Sequence, residues 1–514
     1  MLVGAAELTQ RPTEATLSEA GEALDLMVGA CRAAELDAGS AGLLARAGAV
    51  LVPRGTWAYR DAPRLVARAI GADAAHGVVA EVGVLQTTLI DRAAVAIARG
   101  ELDVAVIVGG EARRRDAVAA AAGTTLAVTT DDGAVPDEVL APGQAIVSAA
   151  EIGAGLITPV GQYAVMEHAR RSHDGQDPVA HAAALAALWA DLAAVAAGRP
   201  QAWDRRGLTA EDIGRPGPAN RPVALPYLRL HNSQWTVDQA AALVLTSLEV
   251  ARARGIDADR LVFPHAVIES NHIVPLSQRR DLWRAPGFAV AAAEMAELLG
   301  VDIDAVAHLD LYSCFPIAVR AQMAEMGIGA DRPVTVTGGM TFGGGPLNNY
   351  VLGAVAAMAG VVRGDPGSRG MVTAVSGLLT KQALSVWSSS PTPGGYRSAQ
   401  VGGRVAAVTA TVPVVGADPG PPPAAGPIAG RPAVPTDGSG RAGPGRVASY
   451  TVLYDRAADA DSVAVAAIAL VDRPDGSRAI AASRTAEVLE AFATGDWCGR
   501  AVRVDGHGEL RPVG

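Results

Sequence analysis

The stretch DRAAVAIARGELDVAVIVGGEA, residues 91–112, decides the fold. Its first part continues an Ala-rich helical pattern over residues 87–99, and Gly100 stands where that pattern stops. Glycine suits a helix end because it enters the left-handed region without steric cost. From residue 103 to 110 the run DVAVIVGG is almost unbroken Val, Ile and Ala. A strand apolar in every register faces protein on both sides, as in a parallel sheet lying between helix layers. Helix, glycine stop and buried strand predict an α/β sandwich.

Outward from this unit the same alternation continues. Residues 22–34 carry helical periodicity, and GAVLVPR at 48–54 reads as a buried strand. Further strand material lies at 240–247, 262–268, 305–311, 334–337 and 371–375, with helices expected at 289–299, 317–326 and 348–362. Two successive blocks of alternation predict a duplicated α/β unit, with halves at 1–250 and 251–412. Residues 145–226, rich in His, Trp and Arg, read as a mostly helical insertion placed to cover a site. Residues 413–446 are dominated by Pro, Gly and Ala and read as a linker or surface strap. Short alternating runs at 447–454, 463–470, 478–482 and 500–504, with one helix at 486–493, predict a small antiparallel β-barrel over 447–514.

The chain has 514 residues, enough for more than one core. Its net charge is −10 and it has no long Lys/Arg block, which argues against nucleic-acid binding. Cys31, Cys314 and Cys498 form no CxxC pair, so neither a disulfide framework nor a zinc site is expected. The opening residues lack a basic segment followed by an apolar one, so no secretion signal is read. The longest Ala-rich run is cut by Asp191 and reads as too short to span a bilayer. The expectation is a soluble cytoplasmic protein.

Four segments, in order, resemble the thiolase superfamily, and specifically actinobacterial thiolase-like proteins type 1 with an additional C-terminal domain. Residues 91–112 are similar to the helix after the thiolase nucleophile and its following strand. NSQWTVDQAAALVLTS, 232–247, resembles the segment closing the first half. HLDLYSCFP, 308–316, stands in the place of the Asn-Glu-Ala-Phe or His-Asp-Cys-Phe motif. TGGMTFGGGPLNNY, 337–350, resembles the Gly-rich loop that carries the catalytic histidine of true thiolases. The resemblance implies five layers, α/β/α/β/α, over residues 1 to about 410. It also implies an acyl-CoA acyltransferase of the acetyl-CoA C-acetyltransferase type, active in lipid metabolism.

Thiolase chemistry needs a thiolate at a helix N-terminus, a histidine and a second cysteine. The resemblance places Gly83 at the nucleophile position, with no thiol or hydroxyl at Val82 or Val84 and a poor acyl acceptor at Glu81. It places Gly345 where the histidine stands and Ser376 near the second cysteine. Tyr312 replaces the residue that holds the catalytic water. Gly343, Gly344 and Gly345 either present backbone N–H groups to a thioester or form a tight turn. Cys314 is either a packing residue, which its apolar neighbours favour, or a displaced nucleophile. Lys381 reads as a solvated helix-start residue, and His231 and His272 as structural or surface histidines. His168, His173, Arg170, Arg171, Arg205 and Arg206 border a CoA channel or line solvated faces.

The expected function is thus binding of CoA or an acyl-CoA, with no cofactor required and the usual thiolase reaction absent or very slow. The alternatives are a rewired acyltransferase using Cys314, and an interaction or scaffold protein of fatty acid or sterol metabolism. In the last, the C-terminal domain docks a partner enzyme.

Overall fold

A computed structural model describes residues 1–130, 133–415, 442–456 and 462–513. Most of the expected linker, residues 416–441, lies outside the described residues.

The first sheet has six strands in the order Leu2–Gln10, Asp238–Thr246, Val104–Ala112, Ala49–Pro53, His76–Ala80 and Glu138–Leu140. Val104–Ala112 and Asp238–Thr246 are buried at all nine positions each, which is why both read as continuous apolar runs. The second sheet has five strands, ordered His308–Asp310, Arg369–Ser376, Lys381–Ser388, Phe263–Ser270 and Arg397–Gln400. Helices Gln86–Ala98 and Tyr350–Gly364 contact strands of both sheets and form the middle layer. Ala23–Ala38 and Ala62–Ile70 cover the outer face of the first sheet and Gly287–Leu299 that of the second, with Pro316–Met326 packed beside Gly287–Leu299. Five layers result, as expected. Tyr350–Gly364 is buried nearly all round, the pattern of a helix with protein on every side.

The strand expected at 334–337 is a turn. The Asp310 carboxylate takes the N–H groups of Val336 at 2.9 Å and Thr337 at 3.1 Å, so these amides join no ladder.

Within the first half, between strands Glu138–Leu140 and Asp238–Thr246, come helices Ala149–Gly153, Pro159–His173, Pro178–Ala197 and Ala210–Gly214. Contrary to the sequence expectation, the 20-residue helix Pro178–Ala197 is long and apolar enough to cross a membrane by length and composition. Asp191 does not interrupt it because that side chain points outward, while Leu185, Trp189, Leu192 and Ala196 pack into the body.

The C-terminal residues form an antiparallel sheet ordered Arg478–Ser483, Ser462–Asp472, Gly443–Arg456, Ala501–Val504 and Leu510–Pro512. It is not the closed barrel expected. Its end strands meet at one isolated bridge, Ala482 to Glu509, because Gly443–Arg456 sends its far end to pair with a hairpin of the insertion instead. That hairpin, Pro222–Ala224 with Tyr227–Leu228, brings the sheet to seven strands.

Candidate functional site

A cleft of about 1040 Å³ lies between the helical insertion and the Gly-rich loop. Thr158, Pro159 and Val160 at the start of helix Pro159–His173 form one wall, and Arg221 and Val223 of the hairpin another. The floor is Tyr312, Cys314, Phe315, Met340 and Gly345. A side arm of about 630 Å³ continues past Trp203, Asp204, Arg205 and Arg206.

Charge is one-sided here. Arg11, Arg114, Arg221 and Arg229 line the cleft and Arg205 the arm, and none of these five forms an ion pair among the described residues. Partial burial and the neighbouring Arg205 push the Arg11 pKa down. Arg206 differs, its Nε donating to Asp204 across 2.8 Å. Guanidinium groups lacking protein carboxylates suit phosphate oxygens, which they can meet through paired N–H donors. Trp203 and Trp235 add aromatic faces, and Arg113 stacks 3.8 Å over the Trp235 ring.

The floor is braced from behind. Asp310 accepts from the Tyr350 hydroxyl at 2.7 Å and Thr335 Oγ1 at 2.9 Å besides the two amides above, and burial raises its pKa. Met340 N–H donates to Ser313 Oγ at 3.0 Å, and Trp203 N–H to Gly343 O at 3.0 Å. Of the three glycines singled out in sequence, Gly345 lines the cleft while its N–H donates to Gln234 O at 2.9 Å. Gly343 and Gly344 border a cavity of about 30 Å³ behind the loop. A β-carbon at 345 would lie 2.3 Å from Ser233 Oγ, so this turn admits only glycine without rearrangement.

Cys314 reaches the cleft floor with 8% exposure. Burial pushes its thiol up to about 12, and a hydrogen bond shared with Tyr163 offsets this only in part. Tyr163 in turn stacks on Phe315, ring centroids 4.5 Å apart. A thiol in this state is protonated at neutral pH and is a weak nucleophile.

Gly83 and Ser376 lie in a second cluster around Lys381. Gly83 precedes helix Gln86–Ala98 with φ +106°, and a β-carbon there would sit 3.1 Å from Pro142 Cγ. Lys381 is buried rather than solvated; it opens a strand, pairs in register with Ser376, and donates from Nζ to Gly83 O. Burial lowers its pKa, opposed by nearby Glu269. Leu378 and Leu379, in the turn between these strands, hold φ +53° and +69°, a strained setting for branched side chains.

The remaining sequence candidates fall elsewhere. His168 is buried and stacks on Tyr450 at 4.2 Å, and His173 stacks on Trp283 at 4.3 Å. Arg170 pairs with Asp174 and Arg171 with Asp496. His231 is buried beneath the cleft, and His272 lies on another face beside Arg279 and Asp281. Arg205 and Arg206 alone of these pairs border the cleft system. Sequence reading missed Arg11, Arg221 and Arg229. The Arg/Trp richness of residues 145–226 was a visible signal for Arg221 alone, since Arg11 and Arg229 lie outside that stretch.

Residues 427–509 match the family described as the thiolase-like protein type 1 additional C-terminal domain. The structure is similar to a monomeric SCP2-thiolase like protein type 1 from Mycobacterium smegmatis, with 26% identity and TM-score 0.78 over 100% of this chain and 98% of that one. It is also similar to acetyl-CoA acetyltransferase from Syntrophomonas wolfei, with 18% identity and TM-score 0.54 over 76% and 98% of the two chains. Human mitochondrial 3-ketoacyl-CoA thiolase in complex with CoA gives 14% identity and TM-score 0.55 over 76% and 98%. No curated protein matches the chain in sequence.

Proposed function

Because the chain is a thiolase-superfamily protein with an additional C-terminal domain, we propose that it binds an acyl-CoA-type thioester without performing the usual thiolase reaction. The single observation that carries this reading is the unpaired arginine set along a cleft whose floor lacks an activated nucleophile. Arg11, Arg205 and Arg229 would meet the phosphates, and Trp203 and Trp235 would offer faces to the base. The acyl–pantetheine end would run toward Met340, Phe315 and Cys314.

The chemistry then stops at binding. A thiolase splits acyl transfer into two easier steps through a cysteine thioester. Gly83 has no side chain to acylate, and Cys314 holds its proton some five units above neutrality. Gly345 offers no imidazole, and its N–H is already engaged by Gln234 O. The reading places the protein in the cytoplasm as an acyl-CoA holder in lipid metabolism.

Calorimetric titration with CoA and acetoacetyl-CoA tests it. Expected are saturable binding that weakens with salt and no thiolysis of acetoacetyl-CoA. Absence of heat at millimolar CoA would refute the binding claim, and turnover at thiolase-like rates would refute the rest.

A further inference from the structure

One strand of the additional domain touches two separate walls of the cleft. Strand Gly443–Arg456 pairs Leu453 with Ala224, and Leu225 N–H donates to Val452 O at 2.9 Å. Thr451 Oγ1 donates to Leu225 O at 2.9 Å, and Ser462 Oγ to Pro222 O at 3.0 Å. The segment so held carries Arg221, Val223 and Arg229 into the cleft. The same strand runs along helix Pro159–His173, which carries Thr158, Pro159 and Val160 at its start. There Ser449 Oγ donates to Val165 O, Tyr450 stacks on His168, and Leu453 Cδ2 stands 3.1 Å from where a β-carbon on Gly161 would be. Farther out, the Arg478 guanidinium is buried and donates to the carbonyls of Ser277 and Arg279.

We propose that the additional C-terminal domain sets the width of the cleft, with Thr451 as a positioning residue for the arginine-bearing hairpin. This rests on the reading of the cleft as a CoA site. Hairpin and helix meet the ligand from two sides, and the strand between them fixes their spacing. An edge hairpin of two- and three-residue strands has little stability of its own, so its position follows the neighbour to which it is bonded. The face of the domain turned toward the insertion is docked on its own chain.

The test uses the full chain with Thr451→Val, which removes the hydroxyl and keeps the shape, and Thr451→Ser, which restores it. Two readouts are taken: CoA affinity by calorimetry, and hydrogen exchange at Leu225, Tyr227 and Leu228 against the amides of Val104–Ala112. Thr451→Val is expected to weaken CoA binding about five- to tenfold and to speed exchange of the hairpin amides about tenfold. Amides of the first sheet should be unmoved, and Thr451→Ser should recover both readouts. Unchanged affinity and exchange in Thr451→Val, or equal acceleration across the whole molecule, would overturn the proposal. If the wild-type chain binds no CoA, the CoA reading fails by itself. Hairpin exchange then decides alone: hydroxyl-dependent local acceleration supports the positioning role, and its absence overturns it.

Discussion

The Nζ of Lys381 donates to the carbonyl oxygen of Gly83 across 2.6 Å, joining residues 298 apart at the start of a central helix. Pro142 and Ile146 pack on the same glycine. The position that the sequence resemblance assigns to a thiolase nucleophile is therefore held by a lysine tether and an apolar cap.

Gly83→Cys is accordingly expected not to restore thiolysis. The new β-carbon would stand 3.1 Å and 3.2 Å from Pro142 atoms, on a backbone with φ +106°. Strain and crowding together should cost about 1–4 kcal/mol in urea unfolding. Acetoacetyl-CoA cleavage above background in the variant would show that only a sulfur was lacking.

Cys314 should resist alkylation. With its pKa pushed up to about 12, the thiolate fraction at pH 8 is about 10⁻⁴. Iodoacetamide labelling of the native chain at pH 8 is expected to be at least a hundredfold slower than of the urea-unfolded chain. Cys314→Ala should keep CoA affinity within about threefold. Rapid native labelling at this residue would reinstate it as a nucleophile.

Two buried histidines should each draw stability out of the fold in mild acid. Burial lowers His168 and His231 to about 4 each. Between that value and about 6.5 the unfolded chain binds protons that the folded chain refuses, so unfolding gains as pH drops through this window. Asp238, raised to about 6 by burial, works the other way and cancels part of the loss. Glu7, Glu111, Glu269 and Asp310, whose carboxyl pKa values burial also raises, oppose it further, so the histidine share is read from the variant rather than from the net slope. His168→Gln should remove that residue's part of the slope, and an identical slope in that variant would contradict the assignment.

Loss of a brace under the Gly-rich loop should be measurable. Tyr350→Phe deletes the 2.7 Å hydrogen bond to Asp310 Oδ1 and leaves a fully buried carboxylate with one donor fewer. The expected cost is about 1–3 kcal/mol in urea unfolding. No change would mean that the remaining donors compensate fully.

Arg229→Gln should weaken CoA about tenfold and flatten the salt dependence, since this arginine borders both arms of the cleft and forms no ion pair among the described residues, Asp204 acting on it only at a distance. Arg170→Gln, on a side chain already paired with Asp174, should leave CoA affinity unchanged. Equal effects of the two would argue against a localised phosphate site.

The layered body was legible because burial writes itself into composition. Residues 103–110 face protein on every side and consist of almost nothing but Val, Ile, Ala and Gly. The strand expected at 334–337 looked the same, but Asp310, a distant carboxylate, captured its amides. The barrel was misread for a related reason. The alternating runs announce strands, yet whether a sheet closes depends on partners far along the chain, and here Ala224 took the place beside Leu453. In the site, glycines at 83 and 345 were visible as residues without chemistry. The converging arginines were not, because Arg11, Arg114 and Arg229 come from segments with no shared local pattern.

The seam at Leu225 also fixes an order of events during synthesis. Its partner Thr451 lies 226 residues downstream, so a growing chain cannot complete this side of the cavity until that later segment has been added. The hairpin waits through that interval with an unfilled edge, so this wall of the cleft takes its shape only once the later-made strand has docked.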